Sequence, residues 1–164
     1  MKRSNLASKS ETAAILDGIS AEWKGAFAPV PKIKNLMVHA LEDGSQIVTG
    51  PGTRIARTKD GRYLPLLTET GLLERFPHVV VDMGAVRFVC KGANLMRPGI
   101  TKFGEFEKGD IVCICDESQG KYLAVGVATT SSSDAEAAEK GEVLKNLHYV
   151  SDAVWEAAKE IREQ

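Results

Sequence analysis

The stretch Val79-Val80-Val81-Asp82-Met83-Gly84-Ala85-Val86-Arg87-Phe88-Val89-Cys90-Lys91-Gly92-Ala93-Asn94-Leu95-Met96-Arg97-Pro98-Gly99-Ile100 decides the reading of this chain. It predicts an apolar strand, a break at Gly84, a second strand, a short helical turn opened by Gly92, and a stop at Pro98-Gly99. From Met83 to Gly104 the only charged residues are Arg87, Lys91, Arg97 and Lys102, with no carboxylate among them. Cations beside backbone bared by three glycines suit a polyanion, because phosphate is held by cations and free backbone N–H groups together. The segment therefore points to RNA.

The order V-V-D-x-G-A-x-x-F-V-x-x-G-A-x-x-M-x-P-G-I resembles the opening of a PUA domain, and Leu147-His148-Tyr149-Val150-Ser151-Asp152-Ala153-Val154-Trp155 is similar to its closing segment. The spelling of Met96-Arg97-Pro98-Gly99-Ile100 and of His148-Tyr149 is similar to that of archaeal relatives of the malignant T-cell-amplified-sequence family. The resemblance implies a smaller pre-PUA domain ahead of the PUA domain. It implies an RNA-facing groove around a short helix, with Lys91, Gly92, Ala93, Asn94, Arg97, Pro98 and Gly99 in that helix and its flanks. It also implies work in translation at the small ribosomal subunit, near the tRNA acceptor end, with a density-regulated-protein-like partner.

Composition fits a globular protein: 43% hydrophobic residues in a chain of 164 is enough for a core. No apolar run reaches the ~18 residues of a membrane span, and no signal-peptide core follows Met1-Lys2-Arg3-Ser4-Asn5, which predicts a cytoplasmic protein. Three cysteines, an odd number, fit reduced thiols, with Cys113 and Cys115 on one strand face as buried apolar residues. No metal or cofactor is expected. A net charge of -1 argues against nonspecific coating of nucleic acid, but charge is uneven. Arg54, Arg57 and Lys59 form a second basic segment, and acids dominate from Glu105 onward.

Along the chain, Ser8-Lys9-Ser10-Glu11 spells a capping box opening a helix whose apolar face would carry Ala13, Ala14, Ile15, Leu16 and Ile19, with Trp23 anchoring its end. Pro29 and Pro31 break regular structure. Hairpins follow, with strands over 34–41 and 46–49 around Asp43-Gly44, and over 54–58 and 62–67 around Asp60-Gly61. Thr68 or Thr70 caps a short helix ended by Pro77. A third hairpin joins strands over 111–116 and 121–129, Ser133 to Glu136 spells another capping box, 143–150 is the closing strand, and Val154, Ala158 and Ile161 stripe a last helix. The fold class is α+β: a small N-terminal α/β pre-PUA domain (1–77) packed rigidly on a mixed, barrel-like PUA domain (78–155), with a helical tail (156–164).

No catalytic site is legible. Gly84, Gly92 and Gly99 fit neither a Walker loop nor a dinucleotide turn, so they serve backbone geometry alone or geometry with RNA contact. Arg97 is the strongest phosphate or base candidate, with Arg87, Lys91, Lys102, Arg54 and Arg57 as further cations. Asn94 either reads a base edge or caps a turn, and Tyr149 either stacks on an unpaired base or joins the core. Asp82 reads as a turn-forming carboxylate. The rival to RNA binding is a protein-interaction adaptor using the acidic tail helix and its apolar stripe, or a noncatalytic subunit of an RNA-modification or ribosome-assembly complex.

Overall fold

The computed structural model describes residues 3–24 and 34–161, so the expected break at Pro29 and Pro31 lies outside the described residues. The N-terminal part comprises β1 (Arg3–Leu6), α1 (Lys9–Trp23), β2 (Met37–Ala40), β3 (Gln46–Gly50), β4 (Thr53–Arg57), β5 (Tyr63–Pro65) and α2 (Thr70–Leu73). Its five strands form an antiparallel sheet in chain order. The Ser8 capping box forms as expected: Ser8 Oγ accepts from the Glu11 N–H, and the Ser8 N–H donates to Glu11 Oε1, each at 3.1 Å. The buried face of α1 is Thr12, Ile19 and Trp23, with Ile15 and Leu16 half-buried, whereas Ala13 and Ala14 face solvent. Thr12 joins that face because its hydroxyl accepts from the Leu36 N–H at 3.0 Å. Trp23 is anchored through Nε1, which donates to the Tyr63 carbonyl at 2.8 Å. Strand β1 was not anticipated: all four residues are exposed, so it carries no apolar alternation. Neither Thr68 nor Thr70 caps α2, whose N-cap is Glu69 without a side-chain cap bond.

The second part holds β6 (His78–Val81), α3 (Met83–Val89), β7 (Leu95–Met96), a 3-10 turn (Arg97–Gly99), β8 (Ile100–Phe103), β9 (Ile111–Asp116), β10 (Tyr122–Ala128), α4 (Ser132–Ala137), β11 (Glu142–Tyr149) and α5 (Ala153–Glu160). The strands make one mixed sheet in the order β7-β11-β10-β9-β6-β8, with β6 and β9 parallel. Two sequence expectations change here. The segment after Gly84 is helix α3, because Asp82 accepts the Ala85 N–H at 2.8 Å as N-cap and Gly84 lies inside the first turn. The turn at Gly92 is not helical; the helical geometry comes later, at Arg97–Gly99. Helix α4 is capped by Ser131, whose Oγ accepts from the Asp134 N–H, two residues before the Ser133 read from the sequence.

Strand β9 is the wall between two cores, which is why its run of Ile, Val and Cys is apolar on both faces. Ile111 and Cys113 join Ile19, Trp23, Ile47, Ile55 and Leu66 of the N-terminal part, while Val112 and Ile114 join Val79, Val81, Val89 and Leu144. Burial raises the Cys113 thiol well above its usual range, and burial with the Asp116 charge pushes Cys115 up to about 11, so both stay neutral packing groups. Helix α5, capped by Asp152, contributes Val154, Ala157 and Ala158 to the first core, and Ile161 just past its end joins them. The apolar stripe assigned to the adaptor reading is thus covered by the N-terminal part. Residues 153–160 are one helix.

Polar contacts tie the two parts. Arg54 Nη2 donates to the carbonyls of Ala158 (2.8 Å) and Ile161 (2.9 Å), and its Nη1 pairs with Glu69 at 3.3 Å. Lys24 pairs with Asp110 at 2.7 Å. The Leu67 N–H donates to His148 Nε2 at 3.2 Å, so Nδ1 carries the proton and donates to Asp152 Oδ2 at 2.9 Å.

Candidate nucleic-acid interface

The glycine-rich face is built on α3, the 91–94 turn, β7, the 3-10 turn and β11. Gly99 lets the 3-10 turn press against α3: a Cβ there would stand 2.8 Å from the Ala85 Cβ, and the Gly99 carbonyl accepts from the Asp82 N–H at 2.9 Å. Gly92 has φ +92° and lies against the Tyr149 ring. Asn146 clamps the turn to β11 through Nδ2, which donates to the carbonyls of Val89 (3.0 Å) and Ala93 (3.1 Å). Asn94 completes the clamp, its Oδ1 accepting from the Asn146 N–H at 3.0 Å and its Nδ2 donating to Glu142 at 2.9 Å.

The sequence-predicted residues separate into two groups. Arg87, Lys91, Ala93, Pro98 and Lys102 are exposed, and among the described residues Arg87, Lys91 and Lys102 form no ion pair. The others are engaged inside the protein. Arg97 donates from Nη1 to the Ile100 carbonyl (3.2 Å) and from Nη2, at a longer 3.4 Å, to the Glu136 carbonyl, with its guanidinium 4.9 Å from the Phe103 ring centroid. It clips the 3-10 turn to β8 and α4. Asn94 spends both ends of its amide on β11, neither on a cap. Tyr149 borders the second core and forms the floor under Gly92. Arg54 sits at the C terminus of α5, and Arg57 lies over the Tyr63 ring at 5.0 Å, both on the N-terminal sheet rather than on this face. Asp82 is the α3 cap, as its turn-forming reading expects.

Sequence reasoning passed over Asn146 and Phe88. Asn146 gives no local signal, since its partners lie 53 and 57 residues away. Phe88 is 56% exposed, and Met83 and Met96 are exposed to a similar degree. Three of the four exposed large hydrophobic side chains among the described residues thus lie on α3 and β7. The signal available was helical periodicity: with α3 as a helix, Val89 turns inward and Phe88 outward. At the end of α3, burial and then the Asp116 charge raise the Cys90 thiol, leaving it a poor nucleophile.

Residues 77–150 match the PUA domain family. A malignant T-cell-amplified sequence 1 homolog of Drosophila melanogaster is 36% identical over 138 residues, covering 78% of this chain and 74% of that protein. Translation machinery-associated protein 20 of Saccharomyces cerevisiae is 31% identical over 134 residues, covering 77% of this chain and 74% of that protein. A crystal structure of a PUA domain protein from Aeropyrum pernix is similar with a TM-score of 0.78 at 27% identity, covering 96% of this chain and 91% of that one. The chain belongs to the family of PUA-domain proteins that includes the malignant T-cell-amplified sequence proteins and translation machinery-associated protein 20.

Proposed function

We propose that this protein is a non-enzymatic RNA-binding factor of the translation machinery, docking on RNA with the α3 face of its PUA domain. The observation that carries this reading is the pair Arg87 and Lys91, exposed and without an ion pair among the described residues, in a segment lacking carboxylates from residue 83 to 104. Unpaired cations of this kind can neutralise phosphates and release the counterions condensed on the RNA, so binding gains free energy and becomes salt-dependent. Lys102 and the exposed Ala93 and Pro98 extend the same contact, while Gly92, Gly99, Arg97, Asn94 and Asn146 hold the surface in shape. The relatives' kinship with a protein named for the translation machinery supports the cellular setting.

The finer assignment is to the tRNA acceptor end or to ribosomal RNA of the small subunit, with a density-regulated-protein-like partner. Co-sedimentation with small ribosomal subunits tests it. The wild-type protein travels with the subunit at low salt, and R87A/K91A does not. Retention of partners after thorough ribonuclease treatment, unaffected by R87A/K91A, would instead make the protein an adaptor.

A further inference from the structure

On the α3 face, an aromatic ring stays largely exposed with the Arg87 guanidinium over it. Phe88 is 56% exposed, although its neighbour Val89 is 2% exposed and packs in the second core. Side chains on a helix lean toward its N terminus, so Phe88 leans toward the turn that begins at Gly84. That turn is bare. Apart from its chain neighbours and the helix backbone, only Asp82 Oδ1 lies within 4 Å of a Cβ built on Gly84, at 3.3 Å, so no other side chain fills the space directly over Gly84. The Arg87 guanidinium stands 5.3 Å from the Phe88 ring centroid, and Lys91 follows three residues on.

An occupant of this site must offer a flat apolar face to the ring and negative charge to both cations. Duplex RNA meets only the second need, because its base faces are stacked on one another and its accessible groove shows phosphates and 2′-hydroxyls. An acidic peptide also satisfies the cations but meets the ring only where an aromatic residue adjoins its carboxylates. An unpaired nucleotide supplies both, the base for Phe88 and the adjoining phosphates for Arg87 and Lys91. We propose that Phe88 is a stacking platform for one unpaired base of the bound RNA, with Gly84 leaving the room for that base and Arg87 and Lys91 holding the phosphates beside it. This subsite rests on the RNA-binding reading and makes it specific for single-stranded segments.

The test uses the full-length protein and an RNA hairpin prepared blunt or with a single-stranded 3′ tail containing 5-iodouridine. Photocrosslinking of the tailed hairpin to the wild-type protein, mapped by mass spectrometry, is expected at Phe88. F88L keeps an apolar side chain without a ring and is expected to weaken binding of the tailed hairpin by about five- to 150-fold, the range for losing one base–aromatic stack. Binding of the blunt hairpin should not change, and F88W should restore the tailed one. R87A/K91A should weaken both. If F88L binds the tailed hairpin like the wild type while R87A/K91A still loses it, the stacking subsite is overturned and the RNA reading stands. A crosslink that maps away from the α3 face also overturns the subsite. If the wild-type protein binds neither hairpin at low salt, both readings fall.

Discussion

Gly92 and Tyr149 fit together only because position 92 has no side chain: a Cβ there would stand 2.8 Å from Tyr149 Cε1 and 3.2 Å from its hydroxyl. The backbone at Gly92 is also left-handed, at φ +92°. G92A therefore meets two penalties, and we expect it to lose about 1–3 kcal/mol of stability in urea titration. The steric part is relieved by shortening the ring, so G92A/Y149A should lose less than the two single variants summed.

Stability and RNA binding should part company between neighbouring cations. Arg97 bonds two backbone carbonyls and covers the Phe103 ring, so R97A should cost about 1.5–3 kcal/mol, seen as a melting temperature lower by several degrees. Arg87 and Lys91 are exposed, so R87A/K91A should melt within about 0.5 kcal/mol of the wild type. The same double substitution should nevertheless reduce RNA affinity and flatten its salt dependence.

Helix α5 is held at both ends by the N-terminal part, through Leu67 and His148 at its start and Arg54 at its finish. R54A removes the donor to the Ala158 and Ile161 carbonyls and takes the cation from Glu69, which keeps the Thr68 hydroxyl. The expected result is a loss of about 1.5–3 kcal/mol and faster proteolysis within α5, with RNA binding by the remaining folded protein unchanged.

Acidification should weaken the N-terminal sheet through His39. Burial, and then the nearby Arg54 charge, hold its imidazole below the ordinary value of 6.5, while its ring nitrogens meet the Ser4 and Thr49 hydroxyls at 2.8 and 3.0 Å. The folded state then binds fewer protons than the unfolded one, so this contribution is complete above 6.5 and is lost as pH falls through the depressed folded value. Urea titrations between pH 7.5 and pH 5 should show that decline, and H39Q should make it shallower.

Local chemistry was legible in the sequence, and partner choice was not. The Ser8 capping box and the Asp-Gly hairpin tips involve residues at most a few positions apart, so their spelling is their structure. The PUA motif was legible as a pattern even though its helix α3 was read as a strand. Val86, Phe88, Val89 and Cys90 favour strands by propensity, and the Asp82 cap with its Ala85 N–H partner overrode them. Arg54 and Arg97 looked alike on paper, as cations awaiting phosphate. Their partners lie up to 107 and 39 residues away, and no spacing rule reports such contacts. Phe88 was hidden by the same strand reading, because only helical phase sends it outward.

The most direct test is fluorescence anisotropy with labelled tRNA, intact or trimmed of its 3′ CCA end, at two salt concentrations, for the wild type and R87A/K91A. The account predicts wild-type binding that weakens with salt, falls on trimming, and falls on R87A/K91A at an unchanged melting temperature. Binding that is indifferent to R87A/K91A, or no binding at low salt, would contradict RNA recognition by the α3 face.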